Sequence, residues 1–360
     1  MSRRLLVTGA AGFIGANFVH YWRTHHPADR VLAYDALTYA GNRANLRALE
    51  GKAGFRFEHA DIRDTARVMA LLREEAIDTI VHFAAESHVD RSIDGPDVFI
   101  DANVVGTHSL LKAAREVWLN GPAPLPHRFH HVSTDEVYGS LGADDPAFVE
   151  TLAYAPNSPY SASKAASDYL VRAYHHTYGL AVTTSNCSNN YGPLHFPEKL
   201  IPLCIVNILQ GKPLPIYGDG RNIRDWLYVS DHCHGIELVL QQGRVGETYN
   251  IGGNNEWANI DIVNLLCDLA DESFAADGTL ATRFPLAPAA NGKPSRSLIT
   301  FVRDRLGHDR RYAIDAGKIH RELGYVPRES FETGIRKTLA WYLANEPWWR
   351  AILDGSYRIP

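Results

Sequence analysis

Short apolar runs alternate with helix-length segments through the first 190 residues, and this alternation constrains the fold more than any other feature of the chain. Six runs have the length and composition of buried strands: RLLVTG, RVLAYD, FRFEHAD, DTIVHFAA, RFHHVST and AVTTSNC. Strands that alternate with helices form parallel sheets, whose crossover helices cover both faces. The sequence therefore predicts an α/β fold with a doubly wound parallel sheet.

The remainder of the chain is richer in proline and glycine. After Tyr191, loops such as GPLHFPEKLIP and GKPLPIYGDGRNIRDW separate shorter elements. We therefore expect a nucleotide-binding domain at residues 1–190 and a smaller C-terminal α/β lobe for substrate at residues 191–224 and 253–360. The strand-like runs DWLYVSD and ETYNIG predict that residues 225–252 return to the first domain.

Composition limits the kinds of partner. The chain has 36 Lys and Arg against 41 Asp and Glu, a formal charge of −5, and its basic residues are scattered. Proteins that bind nucleic acid or anionic membranes concentrate positive charge, so we expect neither partner. The N-terminal apolar run is too short and too interrupted by glycine for a signal peptide, and no stretch predicts a membrane span. A small-molecule substrate is the remaining expectation.

The cysteines predict neither disulfides nor a metal site. Cys187, Cys204, Cys233 and Cys267 lie far apart without CxxC spacing, which favours a reducing cytoplasm. His232 and His234 flank one of these cysteines in the segment DHCHG. Side chains two residues apart diverge on a helix, so no bound metal is expected there.

The segment LLVTGAAGFIGANF places Gly9, Gly12 and Gly15 between the first strand and the next helix. Glycines in this position let backbone N–H groups and the helix N-terminus approach a pyrophosphate. Asp35 closes the next strand 20 residues after Gly15, where a carboxylate can bind both adenosine ribose hydroxyls and repel a 2′-phosphate. The pattern predicts a Rossmann-type fold that binds NAD rather than NADP; an ordinary glycine turn beside a surface acid is the alternative.

The segment SPYSASKAASDYLVRAY begins with a Ser-Pro helix start and carries Tyr160 and Lys164 on one helical face. A nearby ammonium group lowers the pKa of a phenol, so tyrosine becomes a usable base at neutral pH. Tyr160 could then accept a hydroxyl proton while NAD accepts the hydride. A chance pairing on a solvated helix is the alternative, which the nucleotide-binding pattern and the upstream Ser133 and Thr134 disfavour.

Two neighbouring carboxylates, Asp135 and Glu136, follow the run RFHHVS in the segment STDEVYG. Close acids separate their pKa values, which suits a reaction that needs one protonated and one ionised carboxyl group. A solvated acidic turn is the alternative. Adjacent residues of a strand point to opposite faces, so both acids reach one substrate only if the strand ends here, as Gly139 favours.

Together, TGAAGFIG, Asp35, HFAAESHVDRS and YSASK resemble the extended short-chain dehydrogenase/reductase superfamily, whose members mostly act on nucleotide sugars. The segments YDALTYAGN, AAESHVDRSI, HVSTDEVYG, SPYSASKAASD, SNCSNNYGPLHFPEKLIP, PIYGDGRNIRDWLYV and RDRLGHDRRYAID look like those of dTDP-glucose 4,6-dehydratases. Leu306 departs from that family, which usually has proline in this loop, and we expect the change to loosen the loop.

This resemblance implies a reaction. The C4 hydroxyl of dTDP-glucose would be oxidised with NAD by Tyr160 and Lys164, water would be lost across C5 and C6, and the hydride would return to C6. Glu136 would take the C5 proton, Asp135 would protonate the departing hydroxyl, and Thr134 would orient the sugar. The product, a 4-keto-6-deoxy sugar, leads to rhamnose and to other deoxysugars.

The acidic pair distinguishes this reaction from a related one. A 4-epimerase needs no acid and base at neighbouring carbons, and the positions of Asp135 and Glu136 in related epimerases are usually small or neutral. The pair therefore favours a dehydratase. A 4-epimerase, a dehydratase for another nucleoside diphosphate sugar and a non-catalytic NAD-binding regulator remain as alternatives.

The resemblance also implies the residues that bind the ligands and a cytoplasmic homodimer joined through the helices after HVDRSI and at YSASK. The expected NAD contacts are Gly9, Gly12, Phe13, Ile14, Gly15, Asp35, Leu37, Thr38, Asp61, Ile62, Phe83, Ala84, Ala85, Ser87, Tyr160, Lys164 and Asn190. The expected substrate contacts are Ser87, Thr134, Asn189, Lys199, Leu200, Pro215, Ile216, Tyr217, Arg224, Asn259, Asp304, Arg305 and His308.

Overall fold

The computed structural model describes residues 2–121, 125–304 and 308–358. Twelve strands lie within these residues. They are β1 (Arg4–Thr8), β2 (Arg30–Asp35), β3 (Phe55–His59), β4 (Thr79–His82), β5 (Arg128–Thr134), β6 (Val182–Cys187), β7 (Asn189–Tyr191), β8 (Leu214–Tyr217), β9 (Ile223–Tyr228), β10 (Thr248–Ile251), β11 (Glu256–Ala258) and β12 (Ile299–Val302). The six strands predicted from apolar runs are β1 to β6.

Thirteen α-helices connect these strands within the same residues. They are α1 (Phe13–His25), α2 (Thr65–Glu74), α3 (Val89–Asp94), α4 (Asp97–Phe99), α5 (Thr107–Trp118), α6 (Pro159–Tyr178), α7 (Leu200–Gln210), α8 (Val229–Gln242), α9 (Asn259–Ala276), α10 (Thr279–Arg283), α11 (Gly317–Leu323), α12 (Phe331–Ala344) and α13 (Glu346–Asp354). A π-helical stretch at Ile100–Gly106 joins α4 to α5, and a 3-10 turn at Asp135–Tyr138 follows β5.

The main sheet has seven strands in the order β10-β6-β5-β4-β1-β2-β3, and every neighbouring pair is parallel. This confirms the predicted doubly wound, Rossmann-type fold. Its strands are rich in apolar residues because both faces are covered by helices. Successive side chains of β1 show this: Leu5 and Val7 pack with α1 and α8 on one face, while Leu6 packs with α2 and α5 on the other.

The remaining strands belong to smaller sheets. β9 pairs with β7 and β11, and β8 pairs with β12. Of the two strand-like runs expected to return to the main sheet, β10 does so beside β6, but β9 does not. The indole of Trp226 in β9 packs instead with Tyr191 and Phe331, in an apolar cluster that α7, α9 and α12 complete. The division of the chain into two domains remains a prediction.

The chain order of the sheet determines where a ligand can bind. From β1, the connections lead to β2 and β3 on one side and to β4, β5 and β6 on the other. Where the direction reverses, the connections leave a crevice at the carboxyl ends of the strands, between β1 and β4. Among the described residues, no helix combines the length and apolar character needed to cross a membrane.

Candidate active site

A cleft of about 530 Å³ opens at the carboxyl ends of β1, β2, β4 and β5. The glycine turn after β1 and the end of β4 form one wall, and the catalytic candidates on β5 and α6 form another. The loop between β7 and α7 closes the cleft from the opposite side, together with Trp226 of β9. The cleft therefore lies at the position that the sheet order favours.

The glycine turn is tightly packed. Gly9 has a positive φ of 66°, and a Cβ atom there would lie 2.6 Å from the backbone nitrogen of Ala84 on the neighbouring strand connection. A Cβ atom on Gly15 would lie 2.1 Å from the carbonyl oxygen of Gly9. Gly12 begins α1 without a side-chain cap, so the first N–H groups of this helix stay available to an anion. These features fit the pyrophosphate of NAD.

Asp35 is buried at the end of β2 and lines the cleft. Its Oδ2 accepts a hydrogen bond from the Ala11 amide at 2.8 Å, and its Oδ1 accepts one from the Leu37 amide at 2.7 Å. Burial raises the pKa of this carboxyl group, and the two backbone donors oppose that change. A carboxylate has about four acceptor positions, so two remain for ribose hydroxyls.

Most of the expected NAD contacts meet in this cleft. Only Leu37 is absent from its walls, because its side chain packs against the apolar core and its backbone supports Asp35. The expected contacts that line the cleft are Gly9, Gly12, Phe13, Ile14, Gly15, Asp35, Thr38, Asp61, Ile62, Phe83, Ala84, Ala85, Ser87, Tyr160, Lys164 and Asn190. Their roles in binding remain predictions.

Tyr160 and Lys164 are both buried on the face of α6 that meets β5, and both line the cleft. The helix begins at Pro159, and the Ser158 Oγ caps it by accepting a hydrogen bond from the Ser161 amide at 3.1 Å. The Lys164 Nζ donates a hydrogen bond to the carbonyl oxygen of Val132 at 2.9 Å. The lysine is thus held against the strand that leads to Thr134.

The acidity of Tyr160 differs from the sequence-based expectation. Burial, and next the nearby Glu136, raise the pKa of the Tyr160 phenol well above its usual value, while a hydrogen bond with the Thr134 side chain lowers it. Burial also lowers the pKa of Lys164. The net effect on the phenol pKa is a rise, contrary to the expected lowering, because burial outweighs the favourable contacts.

The acidic pair follows the end of β5. Thr134 is the last strand residue, and the 3-10 turn begins at Asp135. The side chains of the two acids therefore need not point to opposite faces, as neighbouring side chains of a strand do. Glu136 lines the cleft, where its Oε2 accepts a hydrogen bond from the Ser161 Oγ at 3.2 Å. Asp135 does not line the cleft and is only 1% exposed. Of the two acids, Glu136 therefore lies on the cleft wall and Asp135 lies behind it, and their joint action on one substrate remains a prediction.

The surroundings of Asp135 favour its protonated form. Its Oδ1 accepts a hydrogen bond from the Thr134 Oγ1 at 3.3 Å, and its Oδ2 has no hydrogen-bond partner among the described residues. Burial, then repulsion by Glu136, raises the pKa of Asp135 well above its usual value. The nearby Arg224 opposes this rise without cancelling it. Burial thus favours a protonated acid directly behind the cleft wall.

The expected substrate residues fall into two groups. The first group lines the cleft and consists of Ser87, Thr134, Asn189, Lys199 and Leu200. The second group does not line it and consists of Pro215, Ile216, Tyr217, Arg224, Asn259, Asp304 and His308. Arg305 and Leu306 lie outside the described residues.

Several residues of the second group have packing partners outside the cleft. Arg224 is buried, its guanidinium group lies 4.2 Å from the centre of the Tyr312 ring, and its Nη2 donates to the Asp309 carbonyl. The ring of Tyr217 packs edge-on against that of His308, whose Nδ1 lies 2.6 Å from an Asp304 oxygen. The diphosphate contact of Arg224 remains a prediction.

Sequence reasoning missed several residues of the cleft wall. In the segment PLHFPEK, Lys199 was predicted as a substrate contact. His195, Phe196 and Glu198 were not predicted, although they also line the cleft. The His195 ring stacks on Phe13 at 4.1 Å between centroids, above the start of α1. The aromatic residues of this otherwise polar loop were the available signal.

Comparison with known proteins agrees with this geometry. The family described as GDP-mannose 4,6 dehydratase matches residues 6–338. A dTDP-glucose 4,6-dehydratase of Xanthomonas campestris is 57% identical over 356 residues, which cover 98% of this chain and 97% of the relative. One of Salmonella typhimurium is 53% identical over 365 residues, which cover 99% of this chain and 97% of the relative.

A solved structure extends the likeness to the fold. The crystal structure of DesIV, a dTDP-glucose 4,6-dehydratase from Streptomyces venezuelae with NAD and TYD bound, superposes with a TM-score of 0.86 at 48% identity. The match covers 97% of this chain and 99% of that one.

Replacing Asp35 by asparagine should weaken NAD binding about tenfold and reduce the preference over NADP, because hydrogen bonds to a charged acceptor contribute about 1.5–3 kcal/mol. Titration calorimetry with each dinucleotide measures both effects. Asp231→Asn is the matched control, since Asp231 is another buried carboxylate that accepts two backbone N–H groups, from Arg328 and Glu329. Equal losses of NAD affinity in both variants would contradict the assignment.

Proposed function

Because the chain belongs to the GDP-mannose 4,6 dehydratase family and, within it, to the dTDP-glucose 4,6-dehydratases, we propose that it converts dTDP-glucose to dTDP-4-keto-6-deoxyglucose and water. The observation that carries this proposal is the grouping of Glu136 and Tyr160 on one cleft, with Asp135, whose pKa is raised by burial, directly behind them. A simple hydride-transfer enzyme needs the tyrosine but has no use for the two acids.

The cleft supplies the residues that hold the cofactor. The turn around Gly12 and the N-terminus of α1 hold the pyrophosphate, and Asp35 holds the adenosine ribose. When bound there, NAD would supply the hydride acceptor for oxidation at C4 and the hydride donor for reduction at C6. Because that hydride is returned, the dinucleotide is a cofactor and not a consumed substrate.

Oxidation at C4 requires a base for the hydroxyl proton. Tyr160 is the group in position, because it lines the cleft beside Lys164 and Thr134. The Thr134 hydrogen bond stabilises the phenolate, and the Lys164 ammonium lies on the same helical face one turn away. Burial keeps water away from this proton transfer.

The keto group at C4 acidifies the hydrogen at C5. Glu136, which lies on the cleft wall, accepts this hydrogen as a proton. The C6 hydroxyl then leaves as water with the proton of Asp135. Since Asp135 does not line the cleft, its proton passes through the Thr134 hydroxyl, which contacts Asp135 and lines the cleft. Glu136 finally returns its proton to C5 while the hydride returns to C6.

Mass spectrometry of the product tests the proposed function. Purified protein incubated with dTDP-glucose should release one water per sugar without net accumulation of NADH. Unchanged mass with formation of the C4 epimer would identify a 4-epimerase instead. If the protein converts another nucleoside diphosphate glucose in preference to dTDP-glucose, that sugar is its substrate. If it converts none of these sugars, the result would contradict an enzymatic role.

Replacing Glu136 by glutamine should separate oxidation from dehydration. The amide cannot accept the C5 proton, so water loss should fall by roughly two to four decades, while C4 oxidation still forms NADH. Stopped-flow absorbance follows NADH, and quenched samples give the product mass. Tyr160→Phe is the comparison variant, because it should form no NADH at all. Water loss at the normal rate in Glu136→Gln would contradict the role of this residue.

We propose that the protein works as a homodimer in the cytoplasm. Its four cysteines are free and buried, which suits a reducing compartment. Four large apolar side chains are exposed along residues 93–105, beside α6: Ile93, Val98, Ile100 and Val105, with exposed fractions of 38%, 55%, 47% and 47%. Exposed apolar side chains grouped along one segment support a subunit interface there.

Replacing Ile100 by aspartate should weaken this association at least tenfold, because a charge buried in an apolar interface loses its hydration. Analytical ultracentrifugation over a concentration series measures the shift. Leu286→Asp is the matched control, since Leu286 is 71% exposed in the segment between α10 and the residues that precede β12. A wild-type protein that sediments as a monomer would contradict the dimer.

A further inference from the structure

Tyr160, Lys164 and Asp168 are spaced four residues apart on α6 and form one buried stripe that faces β5. Asp168 lies behind the cleft and does not line it. Its Oδ1 lies 3.0 Å from the Nε2 of His131, and its Oδ2 accepts a hydrogen bond from the Ser133 Oγ at 2.9 Å. Asp168 thus joins the catalytic helix to the last residues of β5.

Within the part of the chain that the structure describes, the titratable side chains that face Asp168 include one cation that can balance its charge. The titratable groups are Lys164 on its own helix, His131 on β5, Tyr154 in the preceding loop and Tyr138 in the 3-10 turn. Burial lowers the pKa of His131 well below its usual value, so this ring is neutral and donates its Nε2–H to Asp168. The two tyrosines are neutral as well, since burial raises the pKa of each.

Lys164 and Asp168 therefore depend on each other. Burial raises the pKa of Asp168 to about 6, and Lys164 lowers it. Burial lowers the pKa of Lys164, and Asp168 is the first group that raises it again. A buried charge without its partner is costly, so loss of either group destabilises the charged form of the other.

We propose, on the basis of the proposed function, that Asp168 is a positioning residue for the oxidation at C4, which keeps Lys164 as an ammonium and holds the end of β5 against the catalytic helix. Asp168 acts through Lys164 and through Ser133, the residue before Thr134. It does not touch the substrate. Its removal should therefore change the rate and its pH dependence, but not the affinity for dTDP-glucose.

Asp168→Asn tests the charge, because asparagine has the same shape and can still hydrogen-bond Ser133. Without its counter-charge, Lys164 loses its proton at lower pH, so the alkaline limb of the kcat profile should move at least about one pH unit towards neutral. We expect kcat to fall about tenfold or more, with KM for dTDP-glucose within about twofold of wild type. An alkaline limb at the wild-type position would overturn the proposal.

Asp29→Asn is the matched control for loss of a buried carboxylate. Asp29 accepts hydrogen bonds from the Trp22 Nε1 at 3.0 Å and the Arg3 amide at 2.7 Å, outside the cleft. Its substitution should leave the alkaline limb in place, and an equal shift in both variants would assign the effect to general destabilisation. If Asp168→Asn does not fold, Asp168→Glu is measured instead, because it keeps the charge and displaces the carboxyl group. A lower kcat with the alkaline limb of the kcat profile unmoved supports the proposal. An unchanged kcat overturns it.

A second measurement needs no turnover and separates this inference from the proposed function. Lysine labelled with ¹³C at Cε reports the protonation of Lys164 by NMR, with Lys164→Met identifying its signal. The Lys164 signal should titrate at lower pH in Asp168→Asn than in wild type. Equal titration would overturn the role of Asp168 even if the enzyme acts on another sugar. Failure of the wild-type protein to release water from dTDP-glucose would instead contradict the function alone.

Discussion

The catalytic centre depends on the position of one central strand, β5. It pairs with β4 on one side and β6 on the other, so its register is fixed from both sides. Three contacts then fasten α6 to it: the Lys164 Nζ reaches the Val132 carbonyl, and Asp168 holds His131 and Ser133. The strand end and the helix therefore move as one unit, and the cleft takes its shape from both.

The end of this strand also explains how two adjacent acids can have different roles. In a continuing strand their side chains would point to opposite faces of the sheet. The 3-10 turn that begins at Asp135 instead places Glu136 on the cleft and its neighbour in the protein interior. Their different surroundings, and not their chemistry, separate the two carboxyl groups. Glu136 lies at the surface that a sugar can reach, and burial of Asp135 raises its pKa and so favours its protonated form.

Features that depend on local sequence could be predicted, and features that depend on distant packing could not. The six strands follow from apolar periodicity, and the glycine turn follows from the spacing of Gly9, Gly12 and Gly15, and each of these patterns lies within a single segment. By contrast, β9 pairs outside the main sheet because Trp226 packs with Phe331, which lies about 100 residues further along the chain. The stacking of Arg224 on Tyr312 has the same origin.

The proposed roles leave a proton imbalance that the geometry can correct. In each cycle Tyr160 gains the C4 hydroxyl proton, Asp135 loses a proton to the departing water, and Glu136 returns to its initial state. A second cycle therefore requires one proton to move from Tyr160 to Asp135. Thr134 hydrogen-bonds both side chains, because it is the last residue of β5 and the neighbour of the buried acid. A hydroxyl group both donates and accepts, so it can pass this proton without bulk water. The raised pKa of Asp135 favours this return, whereas the raised pKa of Tyr160 opposes it, so the contact with Thr134, which lowers the pKa of the phenol, is the feature that assists repeated turnover.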